Sequence, residues 1–372
     1  MSTEETTTAA APASVRHGLL RLSPEQQRWL RKVPTILVWV AVGFASLYVL
    51  FFANGAAGSA VEEPGKFVVT VLNALTLAGL LFVVASGFTL IFGLMRTVNM
   101  AHGSFFLLAA YIGIEVQQEM VGKEQNINPE DVGLADWFIP LLVAATVVAI
   151  LGVVIQQVFL RWNQGNELQQ ALITIAIAVI VSDQMLHRFG GLAERMVWPG
   201  GVTKFFDSGS LPSMFGERYA TSRLFMMAVA LVVGMALWVW LNRTRMGMVI
   251  RAGVDDQDMV RALGINITVI FAITFFVGAF LAGMGGVMGA SFSGVSPSAD
   301  GAWLVNSLVV VIIGGLGSVK GAVAGSLLYG GVLAFSPSYL PQGWTQYSTL
   351  LTFILLALVL AVRPSGLFGR AE

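Results

Sequence analysis

Apolar runs of about 20 residues, the length that crosses a lipid bilayer as an α-helix, recur along most of the chain. Short polar breaks separate them, and the pattern predicts ten membrane spans. Their approximate bounds are 33–52, 67–93, 103–120, 137–160, 168–188, 222–241, 267–292, 302–317, 321–336 and 345–362. The predicted fold class is therefore all-α, a polytopic transmembrane helical bundle with about ten spans.

The eighth and ninth spans, 302–317 and 321–336, are short and only three residues apart. They either cross the membrane twice or form two half-helices that dip in and out. The half-helix alternative would place Lys320 deep in the membrane, which is an expensive position for a charged side chain. Either alternative leaves the orientation of the remaining spans unchanged.

The segment 1–32 predicts a disordered leader followed by an interfacial helix. Residues 1–15 are small and polar, a composition typical of disorder. Ser23 and Pro24 then match a helix N-cap followed by proline, and the short helix after them suits the membrane surface. The run at 33–54 predicts an extra N-terminal transmembrane span or, alternatively, a signal peptide, since a small-residue stretch follows it.

Charged residues between the spans indicate the orientation of the bundle. Basic residues fall on every second side, and the side rich in Lys and Arg is expected to be cytoplasmic. The basic set is Arg28, Arg31, Lys32, Arg96, Arg161, the arginines of 243–261, Lys320 and Arg363, and the acidic set opposite is Glu62, Glu63, Glu124, Glu130, Asp131 and Asp136. This alternation predicts a cytoplasmic location for the 242–266 loop and, if the first span is retained, for both termini.

The amino acid composition limits the kinds of chemistry that the chain can carry out. Apolar residues make up 56% of the chain and charged residues 11%, which excludes an ordinary soluble domain, and zero net charge gives no reason to expect nucleic acid. The absence of cysteine excludes disulfides, thiolate metal sites and cysteine nucleophiles. Neither a metalloprotease motif nor a Walker A phosphate loop occurs, and no nucleophile–base set is apparent. The chain is therefore predicted to be no enzyme and to bind no cofactor or metal, so that another subunit must hydrolyse any ATP that drives it.

The stretch 242–266 is the longest charged interruption between two apolar runs. A short helix is predicted from Asp256 to Leu263. Gly264 ends this helix, and Asp255 or Asp256 is its N-cap. A helix between two spans would form a protruding knob, and we use that word below for residues 242–266.

The predicted knob helix has a polar face and one apolar edge. Asp258 lies in the first turn, where a negative charge suits the helix dipole. The apolar edge consists of Met259, Val260 and Leu263. Such a surface can dock into a groove on a cytoplasmic partner. The alternative is a solvated, charge-rich loop without a partner, and residue spacing alone does not separate the two.

Polar residues within or between the spans are candidates for a translocation path. Asn99 and His102 lie in the break between the second and third spans. They either line such a path or form a hydrogen-bonded turn that ties the two spans together, and a single histidine without carboxylate neighbours favours the turn. Thr174 in the fifth span and Asn306 in the eighth are uncharged, and interhelical hydrogen bonds are their ordinary role. A path lined by such groups would suit a small, net-neutral solute.

An ionisable pair lies in the fifth span, where Asp183 and His187 share one helical face. Ionisable groups within a span are candidates for function, but this pair lies near the end of the span beside Arg188, which favours a solvated rim. The following loop, 190–221, is long and rich in glycine, proline and aromatic residues. It either docks an extracytoplasmic partner or packs as a lid.

Four motifs, taken in order, resemble one protein family. They are Asn99-Met100-Ala101-His102-Gly103; Arg243-Thr244-Arg245-Met246-Gly247 followed by Arg251, Asp256 and Gly264-Ile265-Asn266; Gly314-Gly315-Leu316-Gly317-Ser318 followed by Gly321-Ala322 and Gly325; and Arg363-Pro364-Ser365-Gly366-Leu367-Phe368-Gly369. Their order and spacing resemble the permease subunits of branched-chain amino acid ABC transporters, the LivH-like family, whose relatives include urea and short-chain amide permeases.

This resemblance implies an ABC permease transmembrane domain at 67–370 with a cytoplasmic coupling loop at 242–266. The implied ATPase-coupling residues are Arg251, Asp256, Asp258, Gly264, Ile265 and Asn266. The implied partners are a second, homologous permease subunit, two cytoplasmic ABC ATPases, an extracytoplasmic solute-binding protein and membrane lipid. Two positions depart from the family pattern, which usually has Ala in place of Val260 and often has Pro in place of Lys320.

The predicted function is that of a permease subunit of an ATP-binding-cassette importer in the bacterial plasma (inner) membrane. It would translocate a small polar solute, foremost a branched-chain amino acid, by alternating access driven by partner ATPases. One alternative is a urea or short-chain amide permease. A second is an ATP-independent secondary transporter, which would often carry a carboxylate in the middle of a span, and the predicted spans have none there.

Overall fold

The computed structural model describes residues 48–49, 58, 61–96, 99–122, 128–163, 165–202, 219–341 and 343–369. The α-helices are α1 (Pro64–Met95), α2 (His102–Val121), α3 (Ala135–Ile155), α4 (Glu167–Phe189), α5 (Thr221–Arg243), α6 (Arg245–Asp255), α7 (Gln257–Ala262), α8 (Ile267–Ser293), α9 (Ala299–Gly314), α10 (Val319–Tyr339) and α11 (Ser348–Val362). A π-helical segment, Gln156–Leu160, continues α3. Within these ranges the extended pairing is limited to one bridge between Glu194 and Val295.

Nine of the ten predicted spans fall in the described residues, and a helix lies at each of them with ends close to the predicted ones. Seven helices are long and apolar enough to cross a membrane, which confirms the polytopic all-α class. The predictions for 1–32 and for the span at 33–54 lie outside the described residues, apart from Tyr48 and Val49. These two side chains pack against a cluster around Tyr339.

Helices α1 and α8 form the centre of the bundle. α1 packs against α5, α8, α9 and α10, and α8 also packs against α2 and α3. Glycines bring the backbones together: a β-carbon at Gly87 would lie 2.3 Å from the carbonyl oxygen of Gly278, and one at Gly286 would lie 2.1 Å from that of Phe106. Close approach at small residues is how helices pack in lipid, where burial from water supplies no driving force.

One end of the bundle gathers three of the motifs. Gly317, in the turn between α9 and α10, lies against Gly93 near the end of α1 and against Val254 of α6. The amide of Leu367, in the C-terminal segment, donates to the carbonyl oxygen of Ile313 at 2.9 Å. The knob, the glycine-rich turn and the C-terminal segment therefore share one end, called the knob end below. The opposite end is called the far end.

α9 and α10 form a hairpin that closes at the knob end. A β-carbon at Gly321 would lie 2.2 Å from the carbonyl oxygen of Gly314, and one at Gly325 would lie 2.3 Å from that of Val310. Lys320 is exposed beside this turn, so the turn is not at mid-depth. α10 has 21 residues, enough to cross a bilayer. α9 has 16 and spans about 24 Å, less than the roughly 30 Å of hydrocarbon. Of the two short spans, α9 alone is shorter than the hydrocarbon thickness, by about a fifth.

α2 has about the predicted extent, 103–120, but it starts inside the bundle, level with the middle of α1. His102, its first residue, donates from Nε2 to the carbonyl oxygen of Val84 at 2.9 Å. Val84 lies 11 positions before Met95, the last residue of α1, which is about 16 Å along the helix axis. The connection at 96–101 therefore turns back into the bundle, and α2 runs from its middle towards the far end.

α9 starts beside the start of α2 and runs the opposite way. A β-carbon at Gly103 would lie 2.1 Å from the carbonyl oxygen of Asp300 and 2.9 Å from the β-carbon of Leu304. One turn further on, the rings of Phe106 and Trp303 stack with centroids 4.3 Å apart. The buried start of α2 and the partly exposed start of α9 thus meet, and we call this place the interior junction.

At the far end, residues 190–202 pack against the bundle as the lid alternative predicts. Trp198 stacks on Trp137 with ring centroids 5.6 Å apart. The side chain of Gln117, near the end of α2, accepts from the amide of Val197 at 2.8 Å and donates to its carbonyl oxygen at 2.9 Å. The rest of this loop, up to position 218, lies outside the described residues.

Candidate coupling knob and translocation path

The knob contains two helices, of which only the second was predicted. α6 begins at Thr244, whose Oγ1 accepts from the amide of Gly247 at 3.1 Å, the geometry of a helix N-cap. Ile250 and Gly253 are buried against the bundle. A threonine followed by apolar positions at helical spacing is a signal that could have revealed this helix.

The predicted short helix is confirmed as α7, and Asp256 is its N-cap. The Oδ1 atom of Asp256 accepts from the amides of Asp258 at 2.9 Å and Met259 at 3.0 Å. Gly264 follows the helix with φ +79°, a left-handed conformation that glycine adopts without steric cost. Asn266 then caps α8 through its side chain. Every helix start in the knob is therefore satisfied by the knob's own residues.

The predicted apolar edge of α7 is divided between two faces. Met259 is 59% exposed and Leu263 is 70% exposed, so both face outward. Val260 is 2% exposed and packs inward, which corrects its assignment to the docking edge. Because Val260 is buried, the presence of Val where the family usually has Ala changes the packing beneath the knob. The outer face of the knob is not affected.

Charged groups surround the two outward apolar side chains. Asp258 and Arg261 are 3.7 Å apart, and Arg251 donates to the side-chain oxygen of Asn242 at 3.1 Å. Exposed pairs of this kind are worth about 0–1 kcal/mol, so the groups can exchange these contacts for those of a partner. Among the predicted coupling residues, Ile265 is half-buried and the others are exposed.

The knob is joined to the core through the end of α1. The side-chain amide of Gln257 donates to the carbonyl oxygen of Leu94, and a β-carbon at Gly253 would lie 2.7 Å from the Leu94 side chain. A cavity of about 290 Å³ lies beneath α7, with Arg261 and Gln170 in its wall. Gln170 belongs to α4, so the knob and the start of α4 face each other across this cavity.

Two of the predicted path residues form the turn into α2. Asn99 is 5% exposed, and its Oδ1 accepts from the amide of Ala101 at 3.1 Å. His102 is fully buried and contacts the ring of Phe88 edge-on, with centroids 5.2 Å apart. Because the carbonyl oxygen of Val84 can only accept, the proton of the neutral imidazole is on Nε2. His102 therefore ties α2 to α1, as the hydrogen-bonded-turn alternative predicts.

Thr174 lies at the same place, whereas Asn306 does not. Thr174 Oγ1 accepts from the amide of Met100 at 3.1 Å, which connects α4 to the turn into α2. Asn306 accepts from the hydroxyl of Tyr329 at 2.8 Å and so links α9 to α10, an ordinary interhelical hydrogen bond. The structure thus brings three of the four predicted path residues together.

A buried hydroxyl that the sequence analysis missed lies next to them. Ser104 is 1% exposed, and its Oγ has no hydrogen-bond partner among the described residues. It lines a cavity between α2, α4 and α9, and the exposed Asp183 lines the same cavity. Arg188 instead pairs with Glu115 at 2.7 Å. The only local sequence signal for Ser104 was its position next to the His102 motif. Its lack of a hydrogen-bond partner depends on tertiary contacts, which the local sequence does not reveal.

Acidic groups cluster at the far end. The backbone amides of Glu194 and Val295 donate to each other's carbonyl oxygens at 2.9 and 2.8 Å. Burial raises the pKa of the Glu194 carboxyl, and the nearby charge of Glu115 raises it further. The described part of the far end is thus rich in negative charge, in contrast to the arginines of the knob.

Known proteins resemble the chain over most of its length. Residues 70–360 match the family described as branched-chain amino acid transport system / permease component. The high-affinity branched-chain amino acid permease protein LivH of Salmonella typhimurium is 29% identical over 319 residues, covering 82% of this chain and 96% of LivH. The corresponding protein BraD of Pseudomonas aeruginosa is 27% identical over 313 residues, covering 81% and 95%.

Sugar permeases resemble the chain over a shorter stretch. The fructose import permease FrcC of Rhizobium meliloti is 28% identical over 166 residues, which is 42% of this chain. No solved structure matches the chain. The helical bundle and these relatives together define a multi-pass membrane transport permease. The chain belongs to the family of branched-chain amino acid transport system permease components, as its four motifs predicted.

Proposed function

We propose that this chain is the membrane-spanning subunit of an ABC importer in the bacterial plasma membrane and that it translocates a branched-chain amino acid. It works with a second homologous permease, two cytoplasmic ATPases and an extracytoplasmic solute-binding protein. The knob end and, if the first span is retained, both termini face the cytoplasm. The near-complete coverage of LivH and BraD supports this proposal, as does the absence of a nucleotide-binding motif from the sequence.

The observation that carries the proposal is the form of the knob. Its helix starts are capped by its own side chains, so its shape is preorganised before any partner binds. Met259 and Leu263 project from it among exposed charges, which is the composition of a small docking surface: an apolar centre with a polar rim. We assign this surface to the ATPase groove.

The proposed mechanism is alternating access, in which a movement of the knob is transmitted to the membrane spans. ATP-driven closure of the two ATPases shifts α6 and α7. Gln257 passes the shift to the end of α1, and Asn266 passes it to α8, since α8 begins directly after the knob. The turn at 96–101 follows α1, so the polar residues at the interior junction move with it. The solute-binding protein supplies most of the selectivity.

The first experiment identifies the partners. Tagged full-length protein is purified in mild detergent, and the proteins that accompany it are identified by mass spectrometry. We expect two ABC ATPases and a second permease, and we expect the neighbouring binding protein to bind leucine and valine rather than urea. A chain that purifies alone and moves leucine into liposomes without ATP would overturn the proposal in favour of a secondary carrier.

The second experiment tests coupling in proteoliposomes that contain the assembled transporter. Gly264→Ala places a β-carbon on a left-handed residue, a strain of about 1–2 kcal/mol, and we expect it to lower leucine uptake about tenfold while ATP hydrolysis continues. Gly343→Ala is the matched control, because Gly343 is also left-handed (φ +92°) but lies outside the knob. Equal uptake by both variants would remove Gly264 from the coupling role.

A further inference from the structure

A cavity of about 470 Å³ lies at the interior junction, between α2, α4 and α9. Hydrogen bonds of two hydroxyl groups on α4 hold this helix beside the cavity. Thr174 accepts from the amide of Met100, and Ser182 donates to the carbonyl oxygen of Pro297 at 2.9 Å. Ala178 lies between these two residues on the same helical stripe and lines the cavity. α4 is thus fastened to the segments that lead into both α2 and α9, with the cavity between the two fastenings.

One part of the cavity offers hydrogen-bond donors. The cap positions of α2 and α9, Ala101 and Ser298, make no side-chain cap hydrogen bond. The start of α2 has neither a side-chain cap nor a carboxylate in its first turn, so the positive end of its dipole favours a bound anion, whereas α9 already carries Asp300 in its first turn. Ser104 adds a hydroxyl that is 1% exposed, lines the cavity and has no hydrogen-bond partner in the described part of the chain. An acceptor oxygen on a ligand would satisfy it.

Another part of the cavity offers negative charge. Asp183 and Asp300 are both among the residues that line it. Neither makes an ion pair with any residue in the described ranges, in contrast to Glu115 of α2 and Arg188 of α4, which pair with each other. Asp300 lies in the first turn of α9. These carboxylates suit a cationic group on the ligand.

The remaining wall is apolar. Ile175, Val179 and Leu304 also line the cavity. The volume falls within the range of ligand pockets, about 300–1,000 Å³. A ligand that satisfies all three parts carries an anionic oxygen group, a cationic group and an aliphatic body.

We infer that this cavity binds a zwitterionic α-amino acid with an aliphatic side chain. The carboxylate of the amino acid accepts from Ser104 and from the amides at the start of α2. Its ammonium group contacts Asp183 and Asp300, and its side chain packs against Ile175, Val179 and Leu304. The inference rests on the proposed function and deepens it, because it places amino acid recognition within the permease itself. Urea, which carries neither charge, does not fit the site.

The test measures equilibrium binding of radiolabelled leucine to the assembled transporter in lipid nanodiscs, without binding protein or nucleotide. We expect Ser104→Ala and Asp183→Asn each to raise the dissociation constant about tenfold, the loss of one charge-assisted contact. Two matched controls should stay within about twofold of wild type. Ser307→Ala removes a buried serine that bonds to its own helix, and Glu167→Gln removes a carboxylate at the other end of α4.

Two leucine analogues separate recognition from folding. The first is 4-methylpentanoate, which lacks the ammonium group, and the second is 3-methylbutylamine, which lacks the carboxylate. Wild type should prefer leucine to both. Asp183→Asn should shrink the preference over 4-methylpentanoate alone, and Ser104→Ala should shrink the preference over 3-methylbutylamine alone. A general loss of structure would not produce this crossed pattern.

The outcomes distinguish this inference from the proposed function. Leucine binding that is absent in wild type, or unchanged in both Ser104→Ala and Asp183→Asn, overturns the inference while ATP-driven leucine uptake still supports the proposed function. A wild-type assembly that takes up no branched-chain amino acid with ATP overturns both.

Discussion

The backbone amides at the helix starts are capped by side chains in the knob, whereas those at the interior junction are not. In the knob, α6, α7 and α8 each begin with a side chain that accepts from the backbone; these residues are Thr244, Asp256 and Asn266. At the junction, α2 and α9 begin without a side-chain cap, and Ser104 beside them has no partner in the described structure.

This difference follows from what each region has to bind. A surface that docks onto another folded protein benefits from a shape that is fixed in advance, because less ordering is then needed on binding. A site for a small polar solute needs donors that are still free. An uncapped helix start at the bundle surface can bond to water, as the partly exposed start of α9 can, but the start of α2 is buried inside the bundle, where free donors are conspicuous. The most effective tests of this comparison alter one region and leave the other intact.

The largest effect is expected from Gly103→Ala at the junction. The new β-carbon would lie 2.1 Å from the carbonyl oxygen of Asp300, and a backbone atom cannot move aside cheaply. We expect a loss of about 3 kcal/mol in unfolding free energy, measured by denaturant titration in detergent micelles. Gly331→Ala is the control, because nothing lies within 4 Å of its β-carbon position. Equal stability of the two variants would contradict the close approach of α2 and α9.

A smaller loss is expected from Thr174→Val, which keeps the shape of the side chain and removes the acceptor for the amide of Met100. Leaving that partly buried donor unpaired should cost about 1–2 kcal/mol in the same titration. Thr174→Ser retains the hydroxyl and should restore most of the stability. If valine and serine are equally stable, the fastening between α4 and the turn into α2 contributes nothing.

The effect of uncapping the knob should be about 1 kcal/mol. Asp256→Ala removes the acceptor for the amides of Asp258 and Met259, so hydrogen exchange at both should accelerate about fivefold. Asp256→Asn keeps an acceptor oxygen without the charge and should exchange at nearly the wild-type rate. Fast exchange in the asparagine variant would mean that the charge of Asp256, and not its hydrogen bonds, orders α7.

The smallest effect on stability is expected from the exposed ion pair between Arg188 and Glu115. Arg188→Gln breaks the ion pair with Glu115, whose side chains are 65% and 39% exposed. Solvent screens such a pair, so the unfolding free energy should change by no more than about 0.5 kcal/mol. A larger loss would show that Arg188 supports the junction from outside, and high salt should then reproduce it in wild type.

The positions of the helices could be predicted from the sequence because each span is marked by its own apolar run, whatever the rest of the chain does. The run at 267–292 became α8 almost residue for residue. The cap and stop of α7 were predictable for the same reason, since Asp256 and Gly264 act on the backbone beside them. α6 was missed although Thr244 and the apolar positions after it are spaced as in a helix; Gly247 and Gly253 on its buried face carry no side chain and weaken that signal.

The interior junction could not be predicted in this way. The mid-depth start of α2 depends on the hydrogen bond from His102 to Val84, 18 positions earlier. The meeting of α2 with α9 depends on Gly103 and Asp300, far apart in the chain. Ser104 differs from the hydrogen-bonded serines of other helices only through these contacts. Local patterns therefore predicted the elements, whereas the candidate site depends on how they pack.

The direct junction of the knob with α8 also has a mechanical consequence. α8 has 27 residues and is therefore a rod of about 40 Å. If the rod pivots at its capped start by about 5°, its opposite tip sweeps about 3.5 Å, a displacement comparable to a hydrogen-bond length. That tip leads into the segment bonded to Glu194 and Ser182 and then into α9. A small rotation of the knob at the membrane face is thus converted into a displacement at the far end that is large enough to break the hydrogen bonds of that segment.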